Sequence, residues 1–230
     1  MRGGVAALLC LGLVACGGTG SQRPPTGSSA TSSVAAVLDL PPPSTAGGTS
    51  LEQALSSRRS VRDFTDVPLT TEELGQLLWA AQGITASWGG RTAPSAGALY
   101  PLEIYAVTGQ ALYHYLPEGH RVEVVGRADL RAPLAAAALG QAPVADAAVV
   151  LVVTGVVART EAKYGARAER YVQLEAGHAA QNVLLQAVSL DLGAVPIGAF
   201  QDEAVAAVLA LPPDRTPFYL ICLGHPAASS

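Results

Sequence analysis

A chain of 230 residues, half of them apolar, is long enough for one globular domain with further segments attached. Its net charge of −4 and its 5% aromatic content argue against a nucleic-acid binder, which would show a basic patch and stacking rings. Of the three cysteines only Cys222 lies beyond the first sixteen residues, which leaves no pair for an intradomain disulfide; with no CxxC and no His/Cys cluster, no metal site is expected.

Arg2, a short apolar run over 5–14 and small residues after it have the layout of an export signal, too short to span a membrane. Leu13-Val14-Ala15-Cys16 resembles a bacterial lipobox. That resemblance implies cleavage before Cys16, a lipid on Cys16, and an exported lipoprotein held to a membrane on its periplasmic or cell-surface side. The alternatives are an ordinary signal cut elsewhere and an alanine-rich start of no meaning. Residues 1–15 are therefore read as signal peptide. Residues 16–50, rich in Gly, Ser, Thr and Pro, are read as a tether, with an apolar island at 34–40 that can dock on the domain, and 51–230 as the folded domain.

Leu51, Ala54 and Leu55 have helical spacing. Thr70 with Glu73 predicts a capping box, and Leu69 with Leu74 a hydrophobic staple, for a helix through Leu77, Leu78 and Ala81 that stops at Gly83. Residues 94–101 read as a loop. Residues 103–108 and 111–116 read as strands joined at Gly109-Gln110, with 121–125 as a third. A helix is predicted over 127–139 with Pro133 near its first turn or kinking it. The apolar run 146–154 predicts a strand buried on both faces. Residues 169–190, apolar on more than one side, predict a central helix. A short helix over 201–211 and a core strand over 218–223 complete an α+β fold, a mixed or antiparallel sheet flanked by helices.

Five segments carry polar or small residues in patterns that suit a ligand. Arg58-Arg59-Ser60-Val61-Arg62 offers guanidinium forks and a hydroxyl to a phosphate, or simply cations to a helix C-terminus. Pro94-Ser95-Ala96-Gly97-Ala98-Leu99 is small enough to lie against a flat ligand, or is a surface turn. Gly193-Ala194-Val195-Pro196-Ile197-Gly198-Ala199-Phe200 reads as an apolar turn between helices that can wall a ring system or merely connect. Lys163-Tyr164 is a proton-transfer pair if burial or a neighbour lowers a pKa, and otherwise solvated surface. His178, Gln181 and Asn182 share a helical face, for which a structural role is favoured.

Taken in order, the segments SRRSVRDF, PSAGALYPLEIY, AKYGARAERYVQLEAGHAAQNVLLQA, LGAVPIGAF and FYLICLG resemble the nitroreductase superfamily, and within it the azoline-oxidising SagB/ThcOx-type dehydrogenases. The resemblance implies a homodimer with two FMN sites at its interface. It implies that Arg58, Arg59, Ser60 and Arg62 hold the FMN phosphate and ribityl chain. Pro94, Ser95, Ala96, Gly97 and Leu99 would reach the flavin from the partner subunit, and Pro196, Ile197 and Gly198 would lie beside its ring. Lys163 and Tyr164 match the pair of which one member takes a proton from an azoline carbon while hydride leaves to flavin N5. One departure is His225, which follows Gly224 where relatives commonly carry a basic residue.

Export separates an enzyme from the cytosolic pool of reduced nicotinamide. The expected function is therefore FMN-dependent dehydrogenation of a small molecule or peptide. An NAD(P)H-dependent nitroreductase and a non-catalytic flavin-binding lipoprotein are the alternatives.

Overall fold

The computed structural model describes residues 36–228. Seven strands form one antiparallel sheet in the order β1-β4-β3-β2-β5-β7-β6. They are β1 (Val37–Asp39), β2 (Leu102–Thr108), β3 (Leu112–Leu116), β4 (Arg121–Gly126), β5 (Val149–Gly155), β6 (Gly193–Ile197) and β7 (Thr216–Gly224). The helices are α1 (Leu51–Ser57), α2 (Thr71–Gln82), α3 (Arg131–Ala137), α4 (Ala142–Asp146), α5 (Val157–Tyr164), α6 (Ala168–Ser189) and α7 (Asp202–Val208). The α+β architecture expected from the sequence is the one observed.

Strand periodicity builds the core. β5 is buried along its whole length. Val149, Leu151 and Val153 face a layer containing Leu77 and Leu78 of α2 and Val172, Ala176 and Val183 of α6. Val150 and Val152 face Leu134 of α3, Val144 of α4 and Val205 of α7. The side chains of one strand thus alternate between two helix layers. Each fully buried Val or Leu contributes about 1.5–3 kcal/mol.

Local signals are realised where they are chemically specific. Thr70 Oγ1 accepts from Glu73 N–H at 3.1 Å, Glu73 Oε2 accepts from Thr70 N–H at 2.7 Å, and α2 ends at Gly83. A second capping box, Ser50 with Gln53, starts α1.

The differences have identifiable causes. β1 pairs with β4 and Leu40 is buried, so the body already includes residues from 36 onward within the stretch read as tether, and the apolar island docks. The predicted helix over 127–139 is shorter. Leu139 and Gly140 adopt φ of 60° and 73°, and Gly140 N–H donates to Ala135 O at 2.8 Å, which closes α3. The separate helix α4 follows, with Pro143 in its first turn, so β5 starts at Val149 rather than 146.

Residues 193–200, read as a turn, supply the edge strand β6. Pro196 is tolerated there because an edge position need not donate a ladder hydrogen bond. The helix α5 was not foreseen. α6 buries a stripe on the sheet but leaves Leu174, Gly177, His178 and Gln181 exposed, so it is not enclosed on all sides.

Candidate functional site

The sequence-predicted residues fall into two sets. In the first, Arg58 caps α1 and the chain runs extended from it onto the outer edge of β6. Ser60 bridges Ala194, and Val61 N–H donates to Ala194 O at 3.0 Å. A Cβ on Gly193 would stand 2.7 Å from Val61 Cγ1, so this close approach requires glycine. Pro196, Ile197 and Gly198 lie two to four residues further along from Ala194, roughly 7–13 Å at strand rise. The arginine cluster and the 196–198 segment are therefore brought to one edge of the sheet.

No carboxylate among the described residues is within ion-pair distance of Arg58, Arg59 or Arg62. Arg59 Nη1 donates to Ser56 O at 2.9 Å and to Arg58 O at 2.8 Å, the second of them its neighbour's carbonyl just past the helix end. The helix-terminus role is thus realised for Arg59 in this state. His225 Nε2 is 3.9 Å from Glu73 Oε2.

The second set is the 94–99 loop with Lys163 and Tyr164. Ser95 Oγ accepts from Tyr100 N–H at 2.9 Å, which ties the loop's two ends together. Gly97 has φ of +65°, and Ala98 and Tyr100 also have positive φ. A Cβ on Gly97 would lie 2.9 Å from both Lys163 Nζ and Tyr164 Oη. Two segments some sixty-five residues apart therefore meet, and the loop presents bare backbone to the Lys-Tyr pair. Tyr164 packs edge-on against Tyr171, ring centroids 5.0 Å apart. Gly97→Ala is expected to cost about 1–2 kcal/mol from the left-handed backbone alone, read as a lower urea midpoint, with further strain from the displaced Lys163 ammonium.

Residues that the sequence did not reveal hold this second set in place. Glu103 of β2 accepts from Arg159 of α5 and lies 2.6 Å from His114 Nε2. Arg159 stands one helical turn before Lys163, so this bond pins α5 to the sheet. Burial alone would raise the Glu103 pKa, but hydrogen bonds and charge from His114 and Arg159 outweigh it and hold the carboxyl at about 2. Glu175 of α6 is 2% exposed, and its Oε1 has no hydrogen-bond partner among the described residues; Ser95, Gln82 and Arg91 are the polar groups that bear on it. Here burial wins, and the pKa rises to about 7. Both carboxylates had a sequence signal. Glu103 interrupts an apolar strand, and Glu175 falls on the α6 stripe of Val172, Ala176 and Ala179 that the sheet buries.

The face of His178, Gln181 and Asn182 is only partly structural. Asn182 Nδ2 donates to Thr92 O at 3.2 Å, but His178 and Gln181 are exposed. Cys222 is a free thiol in the core, its pKa pushed by burial up to about 12. Cys16 and residues 1–35 lie outside the described residues.

Fold and site together define an α+β domain with an arginine cluster at a sheet edge and an exposed Lys163 and half-buried Tyr164 beside a glycine loop. Residues 55–225 match the Nitroreductase family. The chain belongs to that family of flavin-dependent oxidoreductases. A candidate nitroreductase of Methanocaldococcus jannaschii is 45% identical over 181 residues, covering 76% of this chain and 90% of that one. The crystal structure of a candidate nitroreductase from Ralstonia eutropha JMP134 superposes with a TM-score of 0.76 at 32% identity, over 84% of this chain and 90% of that chain. The NADPH:FMN oxidoreductase of Vibrio harveyi, complexed with NAD+, has a TM-score of 0.58 at 27% identity, over 76% and 68% of the two chains.

Proposed function

We propose that this protein is an FMN-dependent dehydrogenase of the SagB/ThcOx type, acting on a small molecule or peptide as a homodimer. The observation that carries this reading is the meeting of Gly97 with Lys163 Nζ and Tyr164 Oη, each 2.9 Å from the position a Cβ would take. It leaves backbone rather than a side chain beside a proton-transfer pair, as a flat ligand requires. FMN, when bound, would supply the acceptor for hydride at N5. The chain's own groups fit it. Arg58, Arg59, Ser60 and Arg62 offer charge-assisted donors to a phosphate and have no carboxylate among the described residues to compete for them. Pro196, Ile197 and Gly198 offer an apolar edge to a ring. One of Lys163 and Tyr164 would take the proton that leaves the substrate carbon.

Exposed Leu51 and Leu55 on α1 and Leu174 on α6, with open space over Gly177, support a second copy closing over this face and bringing its own 94–99 loop. The export reading rests on the sequence before residue 17. It places the enzyme as a lipoprotein anchored through Cys16, away from reduced nicotinamide. A second reading, an NAD(P)H-dependent nitroreductase, is favoured by the likeness to the V. harveyi enzyme.

The visible spectrum of the purified chain mixed with FMN tests the cofactor, and failure of the wild type to bind flavin overturns the reading. Arg58→Ala/Arg59→Ala is expected to raise the FMN Kd on the order of 10²–10⁴-fold, since each charge-assisted hydrogen bond is worth about 1.5–3 kcal/mol. Rapid anaerobic bleaching of bound flavin by NADPH would favour the nitroreductase, and no bleaching the dehydrogenase. Bound flavin that no donor reduces would mark a non-catalytic binding protein.

A further inference from the structure

β2 and β3 pair only from Tyr105/His114 to Val107/Leu112, although β2 begins at Leu102 and β3 runs on to Leu116. Beyond that point β2 stays on β5 and β3 stays on β4. The sheet therefore parts at this end into two halves, and a cavity of about 310 Å³ opens between them. Three guanidiniums reach it from separate places in the chain: Arg91 from the segment after α2, Arg159 from α5 and Arg215 from the segment before β7. Glu103 takes Arg159 and His114. Glu118, the other carboxylate on the wall, is exposed at the β3–β4 turn. No carboxylate among the described residues is within ion-pair distance of Arg91 or Arg215.

Neutral groups orient both of these arginines, and in the same way. Arg91 Nη1 donates to Oε1 of Gln82 at 3.0 Å, and Gln82 is fully buried at the end of α2. Arg215 Nη1 donates to the hydroxyl of Tyr105, which is 2% exposed. In each arginine the Nε is buried and has no acceptor. The Nη1 side is thus spent on the protein, and the Nε–Nη2 edge is left over. That edge carries two parallel N–H groups at the spacing of the two oxygens of a carboxylate. The buried side-chain atoms on the wall that have no partner are all donors, Gln82 Nε2 being the third. Buried donors of this kind are satisfied by an acceptor that enters the cavity.

We propose that this cleft is a binding site for a small carboxylic acid, whose carboxylate docks on the Nε–Nη2 edges of Arg91 and Arg215. The surplus of donors selects an anion over a cation, and the planar forks select a carboxylate. Burial disfavours the Arg91 charge, and the fields of Glu103, Glu175 and Glu118 only partly offset it. An entering carboxylate would offset it at hydrogen-bond distance. The site is separate from the Arg58–Arg62 segment, which bridges to β6 at the edge of the sheet. It borders the 94–100 loop instead. Arg91 lies over the Tyr100 ring at 4.7 Å, and Arg159 Nη1 donates to Tyr100 O at 3.3 Å. An acid seated on Arg91 therefore bears on the segment that carries Gly97.

The proposal does not depend on flavin, and it is tested on the full chain without cofactor. Succinate is the probe, titrated at neutral pH and constant ionic strength and followed by calorimetry and by nitrogen–proton correlation spectra. The wild type is expected to bind with a Kd of about 1 mM or tighter, since two charge-assisted forks are available. Saturable shifts are expected at the amides of Glu103, Ile104 and Leu116 and at the Nε–H of Arg91 and Arg215. Arg91→Lys and Arg215→Lys keep the charge and lose the fork, and each is expected to weaken succinate by about tenfold or more. No saturable binding by about 20 mM, or lysine variants that bind as the wild type does, overturns the proposal. So do shifts confined to the Arg58–Arg62 segment, and so does inorganic phosphate that binds in the cleft as tightly as succinate. Should either variant fail to fold, the wild-type shifts decide. A chain that binds succinate in the cleft and no FMN keeps this site and loses the flavin reading. FMN binding without succinate binding does the reverse.

Discussion

Lys163→Met is expected to slow the anaerobic bleaching of bound FMN by a thiazoline-containing peptide by about 10²–10⁴-fold, the usual contribution of a positioned acid or base. FMN affinity should change by less than about threefold, because the Arg58–Arg62 segment lies on β6 and Lys163 lies on α5. Methionine preserves most of the side chain's reach and packing while removing its proton chemistry. Tyr164→Phe serves as a companion, since it keeps the edge-on ring contact with Tyr171 and deletes only the hydroxyl near Gly97. If both variants bleach at the wild-type rate, the pair is not the proton acceptor. If both lose flavin instead, the residues hold the cofactor rather than act on substrate. The stopped-flow trace and the flavin content separate these outcomes, because a binding defect raises Kd while a chemical defect lowers the first-order rate.

Glu103→Gln is expected to destabilise the fold by about 3 kcal/mol at neutral pH, the linkage value of a carboxyl held at about 2 against an ordinary 4.5. Its side chain is 13% exposed, so solvent screens the interaction only weakly. The pKa is depressed in the folded state, so the stabilisation is present above the ordinary value and is lost as pH falls through about 2. The gap between wild type and variant should therefore be full at pH 7 and close progressively in acid. For a domain of this size it corresponds to roughly 6–12 °C in Tm. An equal gap at both ends of the pH range would show that packing, and not the charge on Glu103, carries the effect. Because Arg159 lies one turn from Lys163, the variant should also loosen α5, which gives the ion pair a functional as well as a structural consequence. Glu103 and Glu175 thus respond to pH in opposite senses. Hydrogen bonds to charged partners win at the first, and desolvation wins at the second.

The parts of the fold that were legible in the sequence are those written by near neighbours. Thr70 and Glu73 fix the start of α2 because a capping box needs only four consecutive residues. The apolar run ending at Thr154 identifies β5, since strand periodicity with both faces apolar has few other uses. At residues 193–200 an apolar stretch containing proline and flanked by glycine suits a turn as well as an edge strand. Only pairing with β7 settles it. The same limit applied to the site. Composition and order disclosed the arginines, the small-residue loop and the Lys-Tyr pair, residue types whose chemistry is visible one at a time. That Gly97 lies on Lys163 and Tyr164, that Glu103 ties α5 to the sheet, and that Glu175 is buried with an unpartnered oxygen all depend on residues far apart in the chain, and no local pattern encodes them. Sequence alone determined which groups are present and the periods of the elements that carry them. Tertiary structure decided which carboxylate is buried with partners and which without. That choice depends on desolvation and on donors brought in from other elements, and so exists only once the chain has folded.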